Sequence, residues 1–445
     1  MAIGQNYIPK LIPSLNHIKK GSRNLLLHPE KPFALTMNAT GTEIFQLCNG
    51  KNNVAMIAKN IASKYQQPYL KIYKDVASFI EKLKDLQMIV TAKRSKKNEV
   101  PLPEIQGIHL NLTNLCNLRC IHCAVTDNIG AAELDTKRII RLIDELVNNG
   151  GKSISITGGE PLLRADCLSI LAYAALKLKT TLLTNAVSIT PDTARVIVDM
   201  GITVQISLDG SKPEIHDAIR GKGTFRKTMK GIELLKNAGI GERLCLRVTL
   251  MKNNVGNWKK ILEMAKKKGI QQIRLATVER LGRAKGAWRK LALTDADHAF
   301  LFGEILNSYS KSGKKIFPQI TWGCSGLNLN PVTNGINCNI GRTITIDASG
   351  DIFPCTMMIH PAFRLGNINR MNLKDISKSK KLKILYHACF YRKDTITKCK
   401  SCAWRNFCQA GCPASAYANT GSLNLTDNLC RLRNKFYREV LLGSK

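Results

Sequence analysis

The chain has 445 residues, 44% of them apolar and 22% charged, which is ordinary globular make-up and enough length for two or three domains with real cores. No run of about 18 apolar residues occurs, which excludes a membrane-spanning helix, and the opening Met-Ala-Ile-Gly-Gln-Asn lacks an export signal, which points to the cytoplasm. Sixty-seven Lys and Arg against 32 Asp and Glu give a formal charge of +35, scattered with no basic tail; this reads as a generally basic surface or attraction for acidic partners, with nucleic acid the less favoured one.

Fifteen cysteines in a cytosolic chain favour metal or redox chemistry over disulfides. Residues 20–92 are expected to form a small α+β domain of winged-helix type. Asn24–His28 and Phe33–Met37 flank Pro29-Glu-Lys-Pro32 and predict a hairpin, and helical patterns follow over Thr42–Cys48, Val54–Tyr65 and Tyr73–Leu86. Cys48 falls among core positions. The run from Leu35 to Gly50, the two amphipathic helices and Leu86-Gln-Met-Ile-Val90 together resemble the PqqD-like peptide-recognition element, although a generic winged helix has the same periodicity. The resemblance implies that the leader of a ribosomally made precursor peptide binds as an added strand. Residues 93–103 are charged, end in Pro101-Leu-Pro103 and read as a linker.

Residues 104–310 alternate strand and helix. Strands are expected at Ile108–Leu112, Ser153–Ile156, Thr180–Leu183, Thr203–Ser207, Leu244–Leu250 and Gln272–Ala276, with helices Thr136–Val147, Pro191–Met200, Phe225–Asn237, Asn257–Lys267 and Thr294–Tyr309 among and after them. Such repetition means a parallel sheet of α/β class. The first strand runs directly into Cys116, Cys120 and Cys123. Three soft ligands this close select an iron–sulfur cluster or zinc, and a four-iron cluster on three cysteines keeps one iron free of protein ligands.

The spacing Cys-x3-Cys-x2-Cys behind a strand resembles the radical S-adenosylmethionine (SAM) superfamily. That resemblance implies a partial (β/α)6 barrel, a 4Fe-4S cluster on Cys116, Cys120 and Cys123, and SAM chelated by the open iron. His122 is then expected to cover the cluster or pack near the adenine, with metal ligation the alternative. Thr157-Gly158-Gly159-Glu160-Pro161 follows the second strand; by resemblance, Gly158, Gly159 and Glu160 contact the amino group of SAM. Ser207-Leu-Asp209-Gly210 and His216-Asp-Ala-Ile-Arg220-Gly221 likewise imply Ser207 and Arg220 near the ribose or carboxylate. Asp209 is left as a strand-end cap or a ligand contact. Cys167 and Cys245 read as packing.

Residues 320–440 hold Cys324, Cys338, Cys355, Cys399, Cys402, Cys408, Cys412 and Cys430. Cys-x11-Gly-x4-Cys followed by Cys-x2-Cys-x5-Cys-x3-Cys and a late cysteine resembles the SPASM extension of radical SAM enzymes. It implies two auxiliary 4Fe-4S clusters, one on Cys324, Cys338, Cys355 and Cys412, the other on Cys399, Cys402, Cys408 and Cys430. Structural zinc ribbons are the alternative, and Cys389 is left as a free thiol. The three parts together resemble peptide maturases, which implies a precursor peptide as substrate and reduced ferredoxin or flavodoxin as electron donor. Gly411–Gly421 is also similar to haem-modifying radical SAM proteins, a reading that gives residues 20–92 no task. Thr356 stands where sulfatase maturases carry a catalytic aspartate, which counts against that activity. A non-catalytic electron carrier would not need the Gly158–Pro161 segment.

Overall fold

The structure is a computed structural model and describes residues 3–21, 23–90, 102–124, 132–312, 319–322 and 338–442. Most of the expected linker, and Cys324, lie outside the described residues.

The N-terminal unit opens with an antiparallel sheet in the order β1 (Asn16–Lys20), β2 (Arg23–Leu27), β3 (Ala34–Met37). β2 and β3 are the expected hairpin. β1 is additional: Asn-His-Ile-Lys-Lys has one apolar residue and reads as solvated chain until it is paired. Helices Ala39–Leu47 and Val54–Tyr65 follow, with the side chains of Asn38 and Asn53 accepting from the Gly41 and Met56 N–H groups as N-caps. The third helix, Tyr69–Asp85, starts ahead of the expected Tyr73, directly after Pro68. Residues ahead of the sheet strap this unit together. The N–H of Leu11 donates to Cys48 O (3.4 Å), that of Ile12 to Met88 O (3.0 Å), and that of Val90 to Lys10 O (2.7 Å).

Leu25, Leu26 and Leu27 are all fully buried, so β2 shows no polar–apolar alternation. Leu26 faces the unit's own helices, among Ile44, Ile57, Ile61, Ile80 and Leu83. Leu25 and Leu27 face the other way, onto Trp404, Phe407, Phe436 and Tyr437 from the far end of the chain. At about 1.5–3 kcal/mol for each leucine buried, this contact fixes the small sheet to the C-terminal region.

The central body sets six parallel strands side by side in chain order: β4 (Gly107–Thr113), β5 (Ser153–Gly158), β6 (Lys179–Thr184), β7 (Thr203–Ser207), β8 (Leu244–Leu250) and β9 (Gln272–Thr277). Helical crossovers join them, including Thr136–Asn148, Pro191–Asp199, Thr224–Asn237 and Trp258–Lys267, as parallel pairing requires. This is the expected partial barrel. Four further strands extend it: β10 (Gln319–Trp322) pairs parallel with β9, and β11 (Thr343–Ile346) pairs parallel with β4 at the opposite edge, followed by antiparallel β12 (Asp351–Phe353) and β13 (Gly366–Asn367). The cysteine-rich C-terminal region is therefore joined by main-chain pairing to the strand that leads into the first three cysteines. Cys48, Cys167, Cys245 and Cys389 are buried free thiols. Among the described residues no helix is long and apolar enough to cross a membrane.

Candidate metal and cofactor site

β4 ends at Thr113, and the loop carrying Cys116, Cys120 and Cys123 begins there, at the carboxyl end of the sheet where α/β folds place their ligands. Glu133 fixes the exit: its Oε1 accepts from Thr113 Oγ1 (2.7 Å) and Asn114 N–H (2.9 Å). Cys116 is exposed, Cys123 half-buried and Cys120 buried. Although the residue as a whole is exposed, desolvation by the atoms crowded around its sulfur pushes the Cys116 thiol up to about 11, with Cys120, Glu160 and Cys123 adding to the rise against the Leu118 N–H. Burial raises Cys120 too, against the guanidinium of Arg220. These sulfurs become anionic only with a cation to answer them, which is the condition under which a metal centre binds thiolates.

The chain supplies part of that answer. Leu118 N–H lies 3.4 Å from Cys116 Sγ, and Arg220 Nη1 donates to Cys120 Sγ at 3.8 Å. From the β9 side, Arg283 Nε donates to Cys120 O (3.0 Å) and Arg283 N–H to Cys123 O (2.9 Å). Gly282 makes this approach possible, since a Cβ there would sit 2.3 Å from Cys123 O. Asn117 links the loop to β6's exit, donating to Ser188 Oγ (2.9 Å) and accepting from Asn185 Nδ2 (2.8 Å). Among the described residues no three His, Cys, Asp or Glu side chains converge on a single-ion position; a four-iron cluster asks for less, because each thiolate meets its own iron. The donor set of three thiols with N–H and guanidinium partners fits such a cluster.

Gly158 and Gly159 lie against this loop. At Gly158, where φ is 135°, a Cβ would fall 2.3 Å from Thr113 O; at Gly159 it would fall 2.1 Å from Leu115 O. The pair of glycines is thus required by close approach of the cysteine loop's own backbone, a reason the motif alone does not disclose. Gly159→Ala is expected to push the loop outward. Iron retained per chain after reconstitution should fall relative to the unsubstituted protein, while the far-ultraviolet circular dichroism is kept.

Glu160 is buried and its carboxylate is occupied. Thr184 Oγ1 (2.7 Å) and Leu162 N–H (3.3 Å) donate to Oε1 and Asn185 N–H (2.8 Å) to Oε2. Burial raises its pKa against those hydrogen bonds. The side chain therefore braces the β5 and β6 loops. Ser207 ends β7, opposite Arg247 of β8.

Asp209 is neither a simple turn cap nor an open ligand contact. It is fully buried; its Oδ2 accepts from Arg220 Nε (2.6 Å) and lies 3.5 Å from His122 Nε2, and its Oδ1 accepts from Thr249 N–H (2.7 Å). Burial is the largest single influence and opposes the charge, but Arg220, His122, the Thr249 N–H and His216 together overcome it and hold the carboxyl below the usual range. His122 is pushed down to about 4 by burial, so the ring is neutral near pH 7. Asp209→Ala should cost about 3–5 kcal/mol, because it leaves the Arg220 guanidinium buried without its counter-ion. A denaturant melt of the metal-free chain reads this directly.

The C-terminal cysteines fall into two sets. Cys399, Cys402, Cys408 and Cys430 are close enough that, beyond burial, the other three all help push Cys399 up to about 11. Cys338 stands near Cys412 and also near Cys389, raising both thiols after burial has done so. Cys338, Cys355 and Cys412 pack against one apolar cluster. Sequence reasoning missed Glu133, which holds the exit of β4, and Gly282, Arg283 and the buried pair Asp427–Arg433, which contact cysteines; their partners are distant in the chain and leave no local pattern.

Models of three families match the chain: the radical SAM superfamily over residues 110–265, coenzyme PQQ synthesis protein D (PqqD) over 23–89, and the SPASM iron-sulfur cluster-binding domain over 338–403. The mycofactocin maturase MftC of Mycolicibacterium smegmatis is 30% identical over 328 residues, which is 72% of this chain and 81% of that protein. An AdoMet-dependent heme synthase of Methanosarcina barkeri is 28% identical, over 72% of this chain and 95% of that one. Among solved structures, Streptococcus suis SuiB bound to precursor peptide SuiA covers 95% of this chain and 100% of its own, with a TM-score of 0.62 at 16% identity. Native anSMEcpe with bound AdoMet covers 75% and 96%, with a TM-score of 0.61 at 19% identity. These two likenesses speak for the fold.

Proposed function

The chain belongs to the radical SAM superfamily, and from that premise we propose that it is a peptide maturase acting on a ribosomally synthesised precursor peptide. It is an enzyme whose cofactors are iron–sulfur clusters and SAM. When bound, a cluster and SAM together supply a 5′-deoxyadenosyl radical able to take a hydrogen atom from a substrate. The chain's own residues hold, orient and enclose. Cys116, Cys120 and Cys123 are assigned as the three ligands, with Leu118 N–H and Arg220 offsetting sulfur charge. Arg283 closes the β9 side of the loop over the Cys120 and Cys123 carbonyls. The main chain of Gly158 and Gly159 is assigned to the amino group of SAM, in preference to the Glu160 carboxylate, and Ser207 to its ribose or carboxylate. Cys338, Cys355, Cys412 and Cys324 are assigned to one auxiliary cluster, and Cys399, Cys402, Cys408 and Cys430 to the other.

The observation that carries the substrate reading is the N-terminal sheet. It is docked on the body by Leu25 and Leu27, and β3 forms an edge with no further strand beside it among the described residues. The β1 edge is blunted by exposed Lys19 and Lys20. At β3, in contrast, Leu35 and the preceding Phe33 are partly buried apolar residues packed against the unit's own core. An extended leader would add main-chain hydrogen bonds along β3 and lay alternate side chains against those apolar residues. A tethered core then reaches the radical site at raised local concentration.

The +35 charge suits an acidic electron donor, reduced ferredoxin or flavodoxin, and the fourteen described free thiols suit the reducing cytoplasm. The test is to incubate reconstituted full-length protein with SAM, a reductant and peptides encoded beside its gene. A mass change in the core of one such peptide is expected. Unmodified peptides alongside a modified porphyrin would favour the haem-type reading instead.

A further inference from the structure

Asp427 and Arg433 are 3% and 4% exposed, yet both are charged. Arg433 Nη2 donates to Asp427 Oδ1, and its Nε donates to Cys408 Sγ at 3.2 Å. Asp427 Oδ2 accepts from the Cys412 N–H at 2.9 Å, and Oδ1 also accepts from the Leu429 N–H at 3.2 Å. The backbone is shaped around the pair: Gly411 has a φ of 72°, and a Cβ there would lie 2.1 Å from Arg433 Nη2. One line of polar contacts thus runs from Cys408, through Arg433 and Asp427, to Cys412. Its ends belong to the two different thiol sets.

A buried ion pair gains little over apolar packing of the same volume, so its orientation toward a sulfur is the informative feature. The nearby Arg405 is half-buried and donates to Lys400 O and Pro29 O instead. We propose that the Asp427–Arg433 pair sets the reduction potential of a cluster held by Cys399, Cys402, Cys408 and Cys430, and ties that cluster to the one that includes Cys412. The inference rests on the auxiliary-cluster assignment made above. Taking up one electron makes a thiolate-ligated cluster more negative, and a fixed cation with an N–H on sulfur stabilises that reduced form. Asp427 partly offsets this cation and transmits its position to the Cys412 backbone.

Removing the two charges separately should therefore move the potential in opposite directions. In full-length reconstituted protein titrated with dithionite and followed by electron paramagnetic resonance, Arg433→Gln should lower one auxiliary potential. The reduced-to-oxidised ratio at a fixed applied potential should fall about tenfold, which is 59 mV for one electron. Asp427→Asn should raise the same potential, and Arg433→Lys should shift it less than Arg433→Gln. A merely structural clamp would give shifts of one sign or loss of iron in both charge-removing variants; either result, or no shift, overturns the proposal. Unsubstituted protein that loads no iron at these four cysteines would sink the cluster assignment and this inference with it, whereas iron present with unmoved potentials sinks the inference alone.

Discussion

Replacing Cys116, Cys120 and Cys123 together with alanine should reduce release of 5′-deoxyadenosine from SAM to background, a loss of at least about a thousandfold. The reason is coordination. An iron with a free position exists only where the chain supplies one thiolate too few, and the loop after β4 offers three. The C-terminal cysteines, on separate elements, should keep their iron in the triple variant. Its iron content should therefore fall by about the four atoms of one cluster. Deoxyadenosine formation that survived the substitution would place the reactive centre elsewhere.

The second large effect concerns the leader. Deleting the N-terminal unit would confuse matters, because Leu25 and Leu27 would leave Trp404, Phe407 and Tyr437 uncovered beside Cys402 and Cys408. A change confined to the β3 edge is cleaner. His28 N–H donates to Phe33 O at 3.0 Å, and antiparallel pairing alternates, so Ala34 and Thr36 turn their N–H groups outward. Thr36→Pro removes one outward donor, keeps the ladder to β2, and is tolerated on an edge strand. It should weaken peptide binding about tenfold, from a lost main-chain hydrogen bond worth about 1–1.5 kcal/mol. SAM cleavage without peptide should stay unchanged. Equal peptide affinity in Thr36→Pro and Thr36→Val would remove β3 as the docking edge.

What was legible in the sequence was local. The cysteine spacings survive without knowledge of the fold, and the central strands announce themselves as short apolar and β-branched runs alternating with helical patterns, as in Leu244–Leu250, where only Arg247 and Thr249 are polar. What was not legible depends on distant partners. Leu25 and Leu27 look like part of one hydrophobic run with Leu26, and only the chain's far end shows that the run serves two cores. Asp209 looked like a turn residue because its three partners, at 122, 220 and 249, are spread over the barrel. β12 and β13 are too short to be seen without the sheet they extend. Arg433, close in sequence only to Cys430, gives no hint that it points at Cys408.

The most direct measurement is electron paramagnetic resonance of reduced protein in which the C-terminal cysteines have been replaced, so that only iron at Cys116, Cys120 and Cys123 remains. Adding SAM should change the signal, since a cluster held by only three thiolates would leave one iron open to the cofactor. A signal left unaltered by SAM, or zinc in place of iron at these three thiols, would contradict the account.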